Sequence, residues 1–573
     1  MDVRDEASHM GEHHHQVVLP GGWIATTVGG LFAARSSQTG KDGKGTNNGA
    51  MEALASVAPS VFLFGLMLLL SWATYLLALQ LHSGDYLAFS KHVTATATAA
   101  AAKCSPITTS LPSQIEHLLH WFQTELSPPL LALLGLSVLS GGLACLLGLR
   151  VSVNEFSLHL FYRNRLVRTF LGASNINART NISTRRPDPF TGFTLDDDHY
   201  LGSLRQGKFD GPYPMWCTAL NLTGGEDLAW QKRKASSFIY SPLFCGWDYM
   251  PTSTARIKGN AYREVAACTD VGESSGEGYG GKGGAPLIGT AMAASGAAVS
   301  PNWGYHTKPA VAALLAIFNV RIGWWAGNPL DPVGYKKYAP GIAYFLSELL
   351  GSANEEKEYV YLSDGGNFEN LGLYELVRRR VKYIIVCDAD SDPDYEFGDL
   401  ANAIEKCRVD FGVQIEMNDY TKIAPDEKTR RSATHFAIGM IHYLPQTAAE
   451  EAQGTSPGVL LYIKSSITGD EPAQVLGQQS AGSRFPHDET LNQFFNETQF
   501  EAYRALGEHM GAFLETRYTL FLTSNGGTMP APAGMAPEQR AEFVRMFFNS
   551  FLIKAWTDPS LLGTIVTPAK KES

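Results

Sequence analysis

The sequence predicts an α/β protein preceded by a two-helix transmembrane hairpin. Two long uncharged apolar runs lie in the first third of the chain, and beyond about Ser152 short β-favouring runs alternate with amphipathic ones. A composition of 45% hydrophobic and 18% charged residues fits a globular or membrane protein rather than a disordered one. A chain of 573 residues is also too long for one ordinary core, so segments of different character are expected.

The organisation follows in chain order. Residues 1–55 are rich in Gly, Ser, Thr and Asn, lack periodicity, and predict a disordered N-terminal segment; the run His13, His14, His15 inside it reads as incidental rather than as a metal site. Residues 56–151 predict the hairpin. The run from Val57 to Leu81 is uncharged over more than the roughly 20 residues a spanning helix needs, and so is the run from Ser127 up to Arg150. Small residues Gly135, Ser137, Ser140, Gly141, Gly142 and Ala144 suit close helix contact in the second run. Arg35, Lys41 and Lys44 precede the pair and Arg150, Arg163, Arg165 and Arg168 follow it, whereas the connection carries only Lys91 and Lys103. The positive-inside rule then places both ends, and the C-terminal domain, in the cytoplasm of a multi-pass membrane protein. The first apolar run starts too far along the chain for a cleaved signal peptide.

Residues 152–525 predict the α/β domain and 526–573 a helical extension. Within the domain, "EYVYLSD" reads as a strand ending on Asp364 and "VKYIIVCDAD" as a buried strand of the parallel-sheet kind. Between them Leu371, Tyr374 and Val377 recur at helical spacing, with Arg378, Arg379 and Arg380 at the end that favours cations, so the stretch reads as strand, turn, helix, strand. Asp364 therefore falls at the carboxyl end of a strand, where α/β sheets gather their chemistry. Gly365 and Gly366 behind it let the backbone turn at once and leave room beside the carboxylate.

Several function classes are excluded or weakened. A formal charge of −10 argues against nucleic acid as partner, because neutralising phosphates needs a concentrated basic surface. Cys104, Cys145, Cys217, Cys245, Cys268, Cys387 and Cys407 lack the paired spacing of a zinc site or disulfide framework and read as reduced, packed thiols. The glycine tract from Gly276 to Gly284 has neither the preceding strand nor the Lys-Ser pair of a phosphate loop, and no other motif calls for a cofactor. Asp388 and Asp390 form a D-x-D at a strand end, with Asp392 and Asp394 close behind; these are hard oxygen ligands that a divalent metal could use, or a solvated strand cap.

"SDGGNFENLGLYELV" resembles the Asp-Gly-Gly segment of patatin-like phospholipases and their cytosolic phospholipase relatives. Upstream, "GTAMAASGAAVSPNWGYHT" resembles the small-residue stretch that precedes that turn, and the similarity extends over roughly Val153 to Gly507. The resemblance implies a patatin-like sheet flanked by helices and a Ser-Asp dyad. Asp364 would take the serine proton as the hydroxyl attacks an ester of a membrane lipid, with no cofactor needed.

The dyad also requires a G-x-S-x-G elbow and a glycine-rich oxyanion segment, and neither occurs in order ahead of Asp364. Ser274 in "GESSG" matches the elbow pattern but runs into glycines rather than a helix. Ser295 in "AASGA" has small neighbours but follows a helical run. The expectation is an incomplete lipid acyl hydrolase whose nucleophile part is supplied by a separate chain. Two alternatives stay open: a noncatalytic membrane-tethered lipid-binding protein of the same fold, and a metal-dependent glycosyltransferase using Asp388 and Asp390.

Overall fold

The computed structural model describes residues 134–143 and 146 and most of the chain from 152 to 563. Within that stretch 173–175, 178–181, 206–210, 225–232, 249–260, 266–285, 301–314, 332–339, 481–483, 490–494 and 530–534, with a few single positions, lie outside the description. The chain divides into two compact units.

The first unit takes in Met1–Phe156, Thr307–Val320 and Ala339–Gly351. Its described helices are residues 134–143 and Ile342–Leu349. Leu134, Val138, Leu139 and Leu143 on the former are all more than half exposed. The first expected span falls outside the described residues, and the second is described only at the helical residues 134–143 and 146. Among the described residues no helix is long and apolar enough to cross a membrane, so the predicted hairpin is not seen here.

The second unit, Ser157–His306, Arg321–Tyr338 and Ser352–Ser573, holds two larger sheets. The first is six-stranded and antiparallel throughout: β1 (Trp216–Asn221), β2 (Ala235–Tyr240), β3 (Phe244–Trp247), β4 (Ala261–Glu264), β5 (Trp324–Gly327) and β6 (Tyr359–Asp364), in the order β4-β3-β2-β1-β6-β5. The second is four-stranded: β7 (Tyr383–Asp388), β8 (Gln414–Met417), β9 (Phe436–His442) and β10 (Gly458–Lys464), in the order β8-β9-β10-β7, with β10 and β7 parallel and the other pairs antiparallel. The unit's helices include α1 (His159–Leu166), α2 (Ile288–Ser295), α3 (Leu373–Arg378), α4 (Gly398–Phe411), α5 (Ala473–Ser480), α6 (Glu497–Ser524) and α7 (Pro537–Met546).

Alternation along the strands sorts the apolar side chains into layers, since successive residues face opposite sides of a sheet. Leu220 packs with Ile288, Ala291 and Ala294 of α2, while its neighbour Ala219 packs with Leu373, Tyr374 and Val377 of α3. In β10, Leu460 and Tyr462 share that second core with α3 and α4, whereas Val459 and Leu461 meet Phe548, Phe551, Leu552 and Ala555 from the end of the chain. The order is thus α2, first sheet, α3 and α4, second sheet, then α6 with the C-terminal helices.

Two expectations are corrected by this layering. The strands on either side of α3 do not form one parallel unit: both edges of β6 are already taken by antiparallel β1 and β5, so β7 pairs in the other sheet instead. The run "VKYIIVCDAD" is not buried on both faces, because Ile385 and Cys387 are exposed between buried Ile384, Val386 and Asp388. The C-terminal extension is helical over Pro537–Met546 and Ile553–Thr557, and its residues Phe548, Phe551, Leu552 and Ala555 cover one face of the second sheet. The helix before β7 is also shorter than its periodicity suggests. Gly372 at φ +71° marks its start, and Glu369 caps it by accepting from the N–H groups of Leu371 at 2.6 Å and Tyr374 at 3.1 Å.

Candidate functional site

Asp364 stands at the end of β6, half-buried, and opens a single 3₁₀ turn, Gly365–Asn367. Its Oδ1 accepts from the Gly366 N–H at 2.8 Å, so the carboxylate does cap its own turn. Neither following glycine has a positive φ; Gly365 is required by close approach of backbone, while Gly366 packs against a side chain. A Cβ on Gly365 would lie 2.6 Å from the Cys217 carbonyl oxygen, and one on Gly366 would lie 2.7 Å from Asn370 Oδ1. Behind the turn, Ser363 Oγ accepts from Asn221 Nδ2 at 2.8 Å and from Asn367 Nδ2 at 2.9 Å, which pins the strand end. Arg378 and Arg379 pair with Glu375, and Arg380 with Glu450, so these arginines are engaged away from the turn.

The structure brings Ser295 into the same neighbourhood. Asp198 accepts from the Gly289 N–H at 2.8 Å near the start of α2 and lies 3.3 Å from Arg163 of α1. At the other end of α2 the Ser295 hydroxyl donates to the Cys217 carbonyl at 2.7 Å, the oxygen against which Gly365 packs. The Asp364 N–H in turn donates to the Ala297 carbonyl at 3.3 Å. Tyr162 completes the group: a Cβ on Gly296 would lie 2.6 Å from its hydroxyl. Burial, and then the charge of Asp364, push the Tyr162 pKa up. Ser295 nevertheless ends a helix instead of standing on a strand-to-helix elbow, and its proton is committed to a backbone carbonyl. Ser274 lies outside the described residues.

A polar chain leads from this turn to the D-x-D. Asn370, beside Gly366, donates through Nδ2 to Asp399 Oδ2 at 2.5 Å, and Asp399 lies beside Asp390. Burial, reinforced by the charges of Asp399 and Asp388, raises the Asp390 carboxyl to a pKa of about 6, and burial raises Asp399 as well. Asp388 is fully engaged at both oxygens. Oδ1 accepts from the Asp390 N–H at 2.9 Å; Oδ2 accepts from the Tyr462 hydroxyl and from Lys464 Nζ at 3.1 Å. The same ammonium lies 3.2 Å from Asp392. Two of the carboxylates that the sequence offers to a divalent metal, Asp388 and Asp392, are therefore paired with a lysine that is 1% exposed.

Lys464, Asn370, Asp399 and Tyr162 carry this geometry, and none stands out in the sequence reading. Only Lys464 left a signal: by strand period it shares the buried face of Leu460 and Tyr462, and a lysine there requires a carboxylate. Comparison of the chain with protein-family models, curated proteins and solved structures finds no match.

Proposed function

We propose that this chain carries the aspartate half of a patatin-type Ser-Asp dyad that hydrolyses ester bonds of membrane lipids. The observation that supports the reading is the Asp364 turn. Its carboxylate is presented half-exposed at a strand end, followed by Gly365, where the Cys217 carbonyl leaves no room for a side chain, beside the small-residue segment Ser295–Ala297. Capping alone does not demand Gly365, because a cap needs only the side-chain oxygen. In this reading Asp364 acts as general base toward a serine supplied by a separate chain carrying the elbow and oxyanion segment. Ser295 lines the site without attacking. The domain lies in the cytoplasm behind a multi-pass membrane segment, a placement supported by the uncharged runs and by the exposed leucines of residues 134–143.

The D-x-D glycosyltransferase reading loses support because Lys464 occupies the place of the cation. A noncatalytic lipid-binding role stays favoured by one fact, the commitment of the Ser295 proton to Cys217.

The test is complementation. The purified full chain should hydrolyse a p-nitrophenyl ester only when mixed with a fragment bearing G-G-x-R and G-x-S-x-G. Asp364→Asn, which keeps the cap, should lose that activity by several orders of magnitude. Equal activity of the Asn variant would remove Asp364 from the chemistry, and activity of the chain alone that vanishes in Ser295→Ala would make Ser295 the nucleophile. Carbonate extraction tests the placement: full recovery in the soluble fraction would exclude the membrane segment.

A further inference from the structure

A second polar cluster lies at the start of β9, made of residues far apart in sequence. His435 directly precedes β9, Glu471 lies in the loop before α5, and His509 sits in the middle of α6. Each offers one nitrogen or carboxylate oxygen, and these three atoms all lie within 4.8 Å of one another. His435 and Glu471 are buried and His509 nearly so.

The hydrogen bonds around the cluster determine which atoms face inward. The Ser466 hydroxyl donates to the Lys464 carbonyl at 3.2 Å, so the 2.8 Å contact between Ser466 Oγ and His435 Nδ1 is donated by the imidazole. Nε2 of His435 then carries a lone pair, 3.8 Å from Glu471 Oε1. Glu471 is fixed by the backbone N–H groups of Thr468 at 2.5 Å and Gly469 at 2.7 Å. The buried Nε2 of His509 makes no hydrogen bond and lies 3.4 Å from Asp470 Oδ1.

The Arg431 guanidinium lies against Gly469 without pairing with either carboxylate. The Thr468 hydroxyl lies 2.5 Å from Asp470, 3.0 Å from Glu471 and 3.2 Å from His435 Nε2, and has one proton for three acceptors. Among the described residues no lysine or arginine forms an ion pair with Glu471 or Asp470. A divalent ion would balance the two carboxylates and engage both imidazoles.

We propose that His435, Glu471 and His509 form a binding site for one first-row divalent transition-metal ion, with zinc the best fit and Asp470 close enough to serve as a fourth ligand. Two imidazoles and a carboxylate are ligands of that class rather than of calcium or magnesium. Tetrahedral zinc would hold its ligand atoms about 3.3 Å apart, so a small inward rotation of His509 closes the site. Ser466 behind His435 and the two N–H groups behind Glu471 act as orienting partners. An ion here would tie α6 to the second sheet.

Titration of the chelator-treated full chain with Co²⁺ and Zn²⁺ tests this. One ion per chain is expected, with visible cobalt absorption in the tetrahedral range and a rise in Tm on adding zinc. Replacing His13, His14 and His15 together with Ala should leave that site intact. His509→Ala, at a partly exposed helix position, should abolish it while circular dichroism stays unchanged, and Glu471→Gln should do the same. Ser466→Ala should weaken binding about 10–100-fold. Absence of stoichiometric binding, or binding that survives His509→Ala and Glu471→Gln, would overturn the proposal.

Discussion

Lys464 and His435 are neighbours across the paired strands β9 and β10, the lysine N–H donating to the His435 carbonyl at 3.0 Å, yet the clusters around their side chains are built oppositely. Around Lys464 the carboxylates of Asp388 and Asp392 meet an ammonium that the chain itself supplies, and the Tyr462 hydroxyl completes Asp388. Around His435 two carboxylates and one imidazole share the single proton of a threonine hydroxyl, and the His509 Nε2 beside them makes no hydrogen bond. The D-x-D has the sequence pattern of a metal site and contains its own cation; the His435 cluster has no sequence pattern, and among the described residues no lysine or arginine pairs with its carboxylates. Ligand-like residue types in a row therefore say less about metal than the charge balance of the site they fold into.

The sharpest way to break this contrast is to remove the internal cation. Lys464→Met should destabilise the protein by about 3–5 kcal/mol, because Asp388 would be left buried without its partner. Denaturant unfolding measures this, and Lys464→Met combined with Asp388→Asn should recover part of the loss. Equal stability of the single variant and the native chain would mean that the pair is not buried as described.

Acid should distinguish the clusters next. His435 is held well below the ordinary histidine value, at about 4, so the unfolded chain binds the extra proton first. Its contribution to stability is complete above pH 6.5 and is lost as pH falls from 6.5 towards 4, up to about 3 kcal/mol in the metal-free chain. His435→Gln should flatten the stability profile over that window; an unchanged slope would place the titration elsewhere.

A smaller loss, about 1–3 kcal/mol, is expected for Glu471→Gln in the metal-free chain. An amide retains one carbonyl acceptor for the Thr468 and Gly469 N–H groups that the carboxylate now satisfies with two oxygens. Thermal unfolding with and without zinc separates this loss from that of the ion.

The smallest effect has the opposite sign. The Asp390 carboxyl is raised to about 6, so its contribution is fully present below the unfolded value near 3.8 and is lost as pH rises through 6. Asp390→Asn should therefore stabilise slightly at pH 7 and change little at pH 4. Destabilisation at pH 7 would show that the charged form is the favoured one.

Much of the second unit was legible in the sequence. The strands ending at Asp364 and Asp388 lie where their β-favouring runs place them, whereas the room expected beside Gly365 and Gly366 is filled by the Cys217 carbonyl and Asn370. Strand partners were not legible. Nothing in "VKYIIVCDAD" reveals that β6 already has neighbours on both edges, and so the sequence reading joined into one sheet what packing divides between two. The proximity of Ser295 to Asp364 was implied only by the resemblance, not by spacing, since it depends on a third strand whose Cys217 carbonyl meets both segments.

Local pattern determined by itself whatever depends on neighbours along the chain: the alternation that sorts Leu460 from Leu461, the apolar runs, and the carboxylate at the end of β6. Tertiary structure alone decided which charges would meet. Lys464 is 76 residues from Asp388, and His509 is more than 70 from His435, separations over which sequence spacing carries no distance. Burial then makes those meetings consequential. A carboxylate taken out of water must find a cation, and only the folded chain shows that Asp388 has one and that Glu471 has none within its ion-pairing reach except a histidine held neutral.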